Sequence, residues 1–255
     1  MSALRHTLQQ RLADLDPLHL RRQLHPSLPD PISPVRIHRG GSRLLNFSSN
    51  DYLGLARDPE LAAAHADATA QWGSGSGASR LVCGSLEVHH QLERELAALK
   101  RTEAALVFSS GYATAAGTLP ALVGPGDVVI LDRLAHACLV DAARLSGARL
   151  RVFRHNDMED LRRILRWARA QQPQPGHAPL NILVVTESVF SMDGDLAPLE
   201  DLVRLKEEFD AWLLVDEAHA TGVLGVDRGG LVNQLGLEGR VEVTLGTLGK
   251  ALGSA

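Results

Sequence analysis

The chain has 255 residues, 45% of them apolar and 22% charged, enough for one large α/β domain or two modest ones around a sizeable core. A formal net charge of −4 without a concentrated basic tract argues against a nucleic-acid-binding protein. No stretch reaches the roughly 18 apolar residues that cross a bilayer, and "MSALRHTLQQRLADLD" has charges where a secretory signal needs an apolar core, so a soluble cytoplasmic protein is expected.

In chain order, Leu4, Leu8, Leu12 and Leu15 recur at helical spacing in "ALRHTLQQRLADL", which reads as a short amphipathic helix. Residues 25–42 hold Pro26, Pro29, Pro31, Pro34 and Gly40-Gly41 and read as an irregular arm. Residues 1–45 are therefore expected to form an N-terminal helix and arm, and residues 46–255 one large domain. "PELAAAHADATAQW" is helical, the glycine-rich "GSGSGASR" follows, and "EVHHQLERELAALK" is a second helix. "AALVF" reads as a strand, "YATAAGTLPALV" as a helix, and "DVVIL" and "RLRVF" as strands around the helical "CLVDAARLSG". "DLRRILRWARAQ" is helical, with Arg162, Arg163, Arg166 and Arg169 spaced as a solvated face. After the loop "QQPQPGHAPL" come the strand "NILVVTE", the helix "PLEDLVRLKEEF" and the strands "AWLLVD" and "VEVTLGT". Such alternation, with short Val/Leu/Ile strands, predicts a three-layer α/β/α fold on a mostly parallel sheet. Cys83 and Cys138 are far apart without C-x-x-C spacing, so neither a disulfide framework nor a metal site is expected.

An open sheet of this kind gathers its ligand at the carboxyl ends of its strands. "LLVDEAHATG" ends one strand in Asp-Glu-Ala-His, letters shared with a helicase element. That element needs a phosphate-gripping loop elsewhere, and the only Gly-Lys pair, Gly249-Lys250, is followed by Ala251 rather than a hydroxyl. The helicase reading fails on that absence. "VFSSGYATAAG" runs from a strand through Ser109, Ser110, Gly111 and Tyr112 into a helix, either a phosphate seat or a plain serine-capped turn. "VVTESVFSMDGD" sets Glu187, Ser188, Ser191 and Asp193 after a buried strand, "LLVDEAHATG" sets Asp216 three residues before His219, and "VTLGTLGKALG" sets Thr244, Thr247 and Lys250 in a glycine-rich turn. Taken singly, a strand-end Asp is a helix cap and a lone lysine is solvated. Together, an anion seat, a carboxylate, a histidine and a lysine match pyridoxal phosphate, whose phosphate, ring nitrogen, phenolic oxygen and aldehyde need one partner each.

At these residues the chain resembles a known family. "DEAHATGVLG" and "GTLGKALG", with "NFSSNDYLGLA", "GSGASRLVCGSLEVHHQLERELA", "FSSGYATAAG", "DRLAHACL" and "ESVFSMDGDLAPL", are similar to the α-oxoamine synthases of the fold-type-I pyridoxal-phosphate superfamily. They are most similar to the branch that condenses L-alanine with a pimeloyl thioester, on coenzyme A or acyl carrier protein, and loses carbon dioxide to give 8-amino-7-oxononanoate for biotin. Glycine C-acetyltransferases, 5-aminolevulinate synthases and serine palmitoyltransferases are the related alternatives. The resemblance implies that Lys250 holds the cofactor aldehyde and shuttles the Cα proton, and that Asp216 pairs with the ring nitrogen. It further implies that His219 and Ser191 bind the phenolic oxygen, Gly111, Tyr112 and Thr247 the phosphate, and that His136 stacks on the ring. His136 by itself would read as a packed histidine opening a helix. Asn50 and Arg21 are assigned to the substrates. A homodimer is implied as well.

Family members are longer, and this sequence stops five residues after Lys250. The expectation is a cofactor-binding large domain incomplete at its C-terminal edge, without the C-terminal domain. An unpaired sheet edge, weak cofactor binding and little turnover follow, or a non-catalytic fragment that keeps the fold.

Overall fold

The computed structural model describes residues 2–171 and 180–254, so all but the two end residues of the loop "QQPQPGHAPL" lie outside it. The chain forms two compact units, Met1–Ser49 and Asn50–Ala255.

In the first unit, helix α1 (Ala3–Leu15) begins at Ser2, whose hydroxyl accepts the Arg5 N–H. Strands β1 (Leu28–Pro29), β2 (Arg36–Arg39) and β3 (Ser42–Leu45) make an antiparallel sheet where the sequence reads as an irregular arm. Gly40-Gly41 supplies the reason: with φ of 56° and 79° they close a two-residue hairpin that pairs Arg39 with Ser42. Asp30, almost fully buried, accepts the N–H groups of Ile32 and Ser33 and binds His38 and Arg43. The Arg43 guanidinium holds its carboxyl far below the usual range.

The second unit is built on a five-stranded parallel sheet, ordered β5-β4-β6-β7-β8. These strands are β4 (Val128–Asp132), β5 (Arg149–Phe153), β6 (Ile182–Glu187), β7 (Trp212–Asp216) and β8 (Val243–Leu245). Its helices are α2 (Pro59–Trp72), α3 (Glu87–Lys100), α4 (Gly111–Leu122), α5 (Ala137–Leu145), α6 (Met158–Arg169), α7 (Leu199–Glu208) and the short α8 (Leu231–Gln234). Side chains alternate across the strands and divide the core in two. Val128, Ile130, Ile182, Val184, Leu213 and Val215 pack with α6 and α7, while Val129, Leu131, Leu183, Val185 and Leu214 pack with α4 and α5. The central strands are thus apolar on both faces, and the α/β/α layering follows.

Two expectations need correction. "AALVF" forms no strand: the Val107 N–H donates to Glu93 Oε1 at 2.9 Å and its carbonyl accepts from Arg80 at 3.4 Å, so side chains replace a ladder. The last strand is confined to Val243–Leu245, paired with β7 alone. On the arginine face of α6, Arg162 pairs with Glu208, Arg163 with Asp160 and Arg169 with Asp210. Among the described residues no helix is long and apolar enough to cross a membrane.

One buried ion pair ties α3 to the loop after β7. Lys100 Nζ donates to Glu217 Oε2 (2.8 Å), Thr221 Oγ1 (2.7 Å) and the Gly229 carbonyl (2.8 Å), while Glu217 Oε1 accepts the Val232 N–H (2.9 Å). The Glu217 side chain is 1% exposed. Lys100→Ala strands that carboxylate, and a loss of about 3–5 kcal/mol in unfolding free energy is expected from denaturant titration. Lys100→Ala unfolding at the wild-type midpoint would refute it.

Candidate functional site

The parallel register sets acidic residues at the carboxyl ends of neighbouring strands. Asp132 ends β4, Glu187 ends β6, and Asp216 ends β7 directly beside Glu187. Asp216 Oδ1 accepts the Ala218 N–H at 2.9 Å, so it caps its own turn as a strand-end aspartate does. Burial pushes the Asp216 carboxyl up, while the Ala218 N–H, Lys250 and His136 pull it back. Burial also pushes Glu187 up, and with the Asp216 charge beside it to about 7.

Lys250 enters this shelf from the turn after β8. Its ammonium lies 2.9 Å from His219 Nε2, and His219 Nδ1 lies 2.7 Å from the Tyr52 hydroxyl, which is 3.3 Å from Asn50 Oδ1. With the lysine charged, one proton arrangement serves every group. Lys250 donates to Nε2, Nδ1–H donates to Tyr52, and Tyr52 donates to Asn50. Burial first, then the charges of Lys250 and His136, hold His219 down at about 4, which keeps it neutral near pH 7. Burial lowers the lysine as well, against the pull of Asp216 and Glu187.

The other expected residues are distributed unevenly. His136 is exposed and opens α5, with Nδ1 accepting the Cys138 N–H at 3.2 Å. Ser110 caps α4 by accepting the Ala113 N–H. Gly111 and Tyr112 then sit in the first turn, where amides have no acceptor within the helix. Ser109, Ser110, Gly111 and Thr247 line a cavity of about 1020 Å³ between the 104–111 segment, α4 and β8. Ser191 is exposed in a turn after β6. Arg21 belongs to the first unit and pairs with Asp16 at 3.0 Å.

A second, half-buried network was not evident in the sequence. His155 bridges Asp132 (2.9 Å) and Asp195 (2.7 Å), and Asn156 donates its N–H to Asp132 and its side-chain amide to Asp195. It ties the ends of β4 and β5 to the loop that carries Ser191. Among the described residues no His/Cys/Asp/Glu group has the arrangement of a metal site.

The profile for Aminotransferase class I and II matches residues 42–255. The chain belongs to this family. Among curated relatives it is 50% identical over 248 residues to the 8-amino-7-oxononanoate synthase of Anaeromyxobacter sp. (strain Fw109-5), covering 97% of this chain and 60% of that one. It is 50% identical over 218 residues to the synthase of the same name from Exiguobacterium sibiricum, covering 86% and 54%. Among solved structures, a serine palmitoyltransferase from S. paucimobilis with a bound PLP–myriocin aldimine superposes with a TM-score of 0.86 at 31% identity. It covers all of this chain and 63% of that one. A Francisella tularensis 8-amino-7-oxononanoate synthase gives a TM-score of 0.63 at 28% identity over 82% and 56%. The chain thus spans 54–60% of the length of these two curated relatives.

Within this class I and II family member, Tyr52 was missed by sequence reasoning, although it lies inside the quoted "NFSSNDYLGLA"; only the fold carries it 167 positions to His219. The two histidines give stability opposite pH slopes. His219 falls from 6.5 unfolded to about 4 folded, so its contribution is full above about 6.5 and lost as pH drops toward 4. For His155, burial lowers the pKa, but its hydrogen bonds to Asp132 and Asp195 outweigh burial and raise it. Its contribution is full below 6.5 and lost as pH rises through the folded value. Chemical denaturation from pH 4 to 8 should show His219→Gln flattening the acid limb and His155→Gln the limb above 6.5. Unchanged limbs would contradict these protonation states.

Proposed function

We propose that this chain carries the cofactor-binding machinery of a pyridoxal-phosphate-dependent C-acyltransferase. The reaction is condensation of L-alanine with a pimeloyl thioester, on coenzyme A or acyl carrier protein, with decarboxylation to 8-amino-7-oxononanoate for biotin. The observation that carries the reading is Lys250, half-buried, 2.9 Å from a neutral His219 and within electrostatic reach of Asp216 and Glu187. Burial lowers the proton affinity of a lysine so placed, and its free amine is a nucleophile and a base.

The residues fit the cofactor by the chemistry of their donors, since a half-buried lysine, a strand-end carboxylate and a neutral histidine stand together on one shelf. Pyridoxal phosphate, when bound, supplies an electron sink for bonds at the amino acid Cα. Lys250 would hold its aldehyde and move the Cα proton, with His219 Nε2 as the adjoining acceptor. Asp216 holds the proton on the ring nitrogen. His136 would cover a ring face with its exposed imidazole, and Ser191 and His219 would serve the phenolic oxygen. The first-turn amides of Gly111 and Tyr112 and the Thr247 hydroxyl bind the phosphate. Asn50, through Tyr52, orients His219 and would meet the amino acid.

A second reading is a subunit that binds the cofactor without turnover. Purified protein with pyridoxal phosphate should show a visible absorption band that Lys250→Ala abolishes. Turnover of L-alanine with pimeloyl thioester should fall about 10²–10⁴-fold in the same variant. A band that survives Lys250→Ala removes the lysine from its role. Cofactor binding without turnover selects the second reading, and turnover of glycine with acetyl-CoA instead selects a related synthase.

A further inference from the structure

Glu187 is an acidic strand end to which the expected chemistry assigns no role. It is 3% exposed, and its Oε1 has no hydrogen-bond partner. Register sets it beside Asp216, with strands roughly 4.8 Å apart. The backbone N–H groups of His136 and Ser191 face its carboxyl. It therefore touches the two segments that carry a ring-stacking imidazole and a hydroxyl.

The charges around it decide its state. Lys250 faces the pair from the turn after β8 and His136 from the start of α5; Cys138 of α5 is a neutral thiol, raised by burial and by both carboxylates to about 11, and His219 is neutral. One lysine cannot neutralise two adjoining anions in a site of low dielectric. Asp216 has the better claim to a negative charge, because it accepts the Ala218 N–H at 2.9 Å and Lys250 acts on it more strongly than on Glu187, which has the His136 and Ser191 N–H groups facing it but keeps Oε1 without a partner. The shared proton belongs on Glu187.

We propose that Glu187 is a positioning residue that works as a neutral acid, steadying the His136 and Ser191 backbone and leaving Asp216 the single anion for a ring nitrogen. The proposal rests on the cofactor reading above. Burial and the Asp216 charge raise the Glu187 carboxyl in the same sense. Glu187→Gln keeps shape and neutrality, whereas Glu187→Ala removes the acceptor that the two N–H groups face.

Two measurements test it. In the cofactor-free protein at pH 5.5, infrared difference spectra should show the carbonyl stretch of a protonated carboxylic acid that disappears in Glu187→Gln. With pyridoxal phosphate, Glu187→Gln should bind within about threefold of wild type and keep the induced circular dichroism of the visible band. Glu187→Ala should lose about tenfold in affinity and change that signal. Cofactor-free melting curves identify any variant that fails to fold. A Glu187→Gln loss equal to that of Glu187→Ala shows that charge is needed and overturns the proposal. So does wild-type binding by a folded Glu187→Ala, or absence of the infrared band. If wild type shows no lysine-dependent visible band the cofactor reading fails, while the infrared band still reports the state of Glu187.

Discussion

Parallel register across β6, β7 and β8 is the constraint on which the site depends. Glu187 pairs with Asp216 and Asp216 with Leu245, so the three strands end in one line. Every crossover returns the chain to the same edge, and the loops after β4, β6, β7 and β8 all leave from it. Slippage by one residue would exchange the two core faces and turn each strand-end side chain to the opposite side. The apolar packing of α4 and α5 on one face and α6 and α7 on the other therefore fixes the chemistry as well as the fold.

That edge concentrates unfavourable charge. Burial raises two carboxylates and depresses a lysine and a histidine at a single shelf. Structural ion pairs elsewhere in the chain show the opposite trend: Arg80 holds Glu93 down to about 2 and Arg163 helps lower Asp160. The contrast separates groups that stabilise the fold from groups that are available to react. Lys100 and Glu217 make the shelf tolerable, since they anchor the loop between Asp216 and Thr221 to α3.

Much of this was legible in the sequence, for physical reasons. The central strands are buried on both faces and read as unbroken Val/Leu/Ile runs, and α2 carries its own stop and start signals, Asp58 before Pro59 and Gly73 at the end. Lys250 stood out because a lysine in so glycine-rich a turn is no ordinary surface residue. The failures share one cause. "AALVF" has strand composition but no adjoining strand, and the proline-rich arm hid a hairpin whose two glycines set the register. Tyr52 with His219, Lys100 with Glu217 and His155 with Asp132 meet across 167, 117 and 23 positions. Pattern along a chain does not encode such meetings.

The position of Lys250 depends on side chains that are missing on either side of it. A Cβ on Gly222, which has a φ of +82°, would lie 2.9 Å from the Ala251 Cβ, so the loop after Asp216 and the lysine turn approach closely there. On the far side a Cβ on Gly253, at φ +64°, would lie 2.6 Å from the Ala56 backbone nitrogen. The turn is therefore held between the His219 loop and the Leu55–Ala56 segment. That segment follows Asn50 and Tyr52 by only a few residues, so the approach that Gly253 permits also carries the Tyr52 hydroxyl to His219 Nδ1. Both ends of the proton chain, Lys250 and Asn50, are thus fixed by backbone packing at two glycines rather than by the polar groups themselves. The hydrogen bonds then orient a histidine whose place is already set.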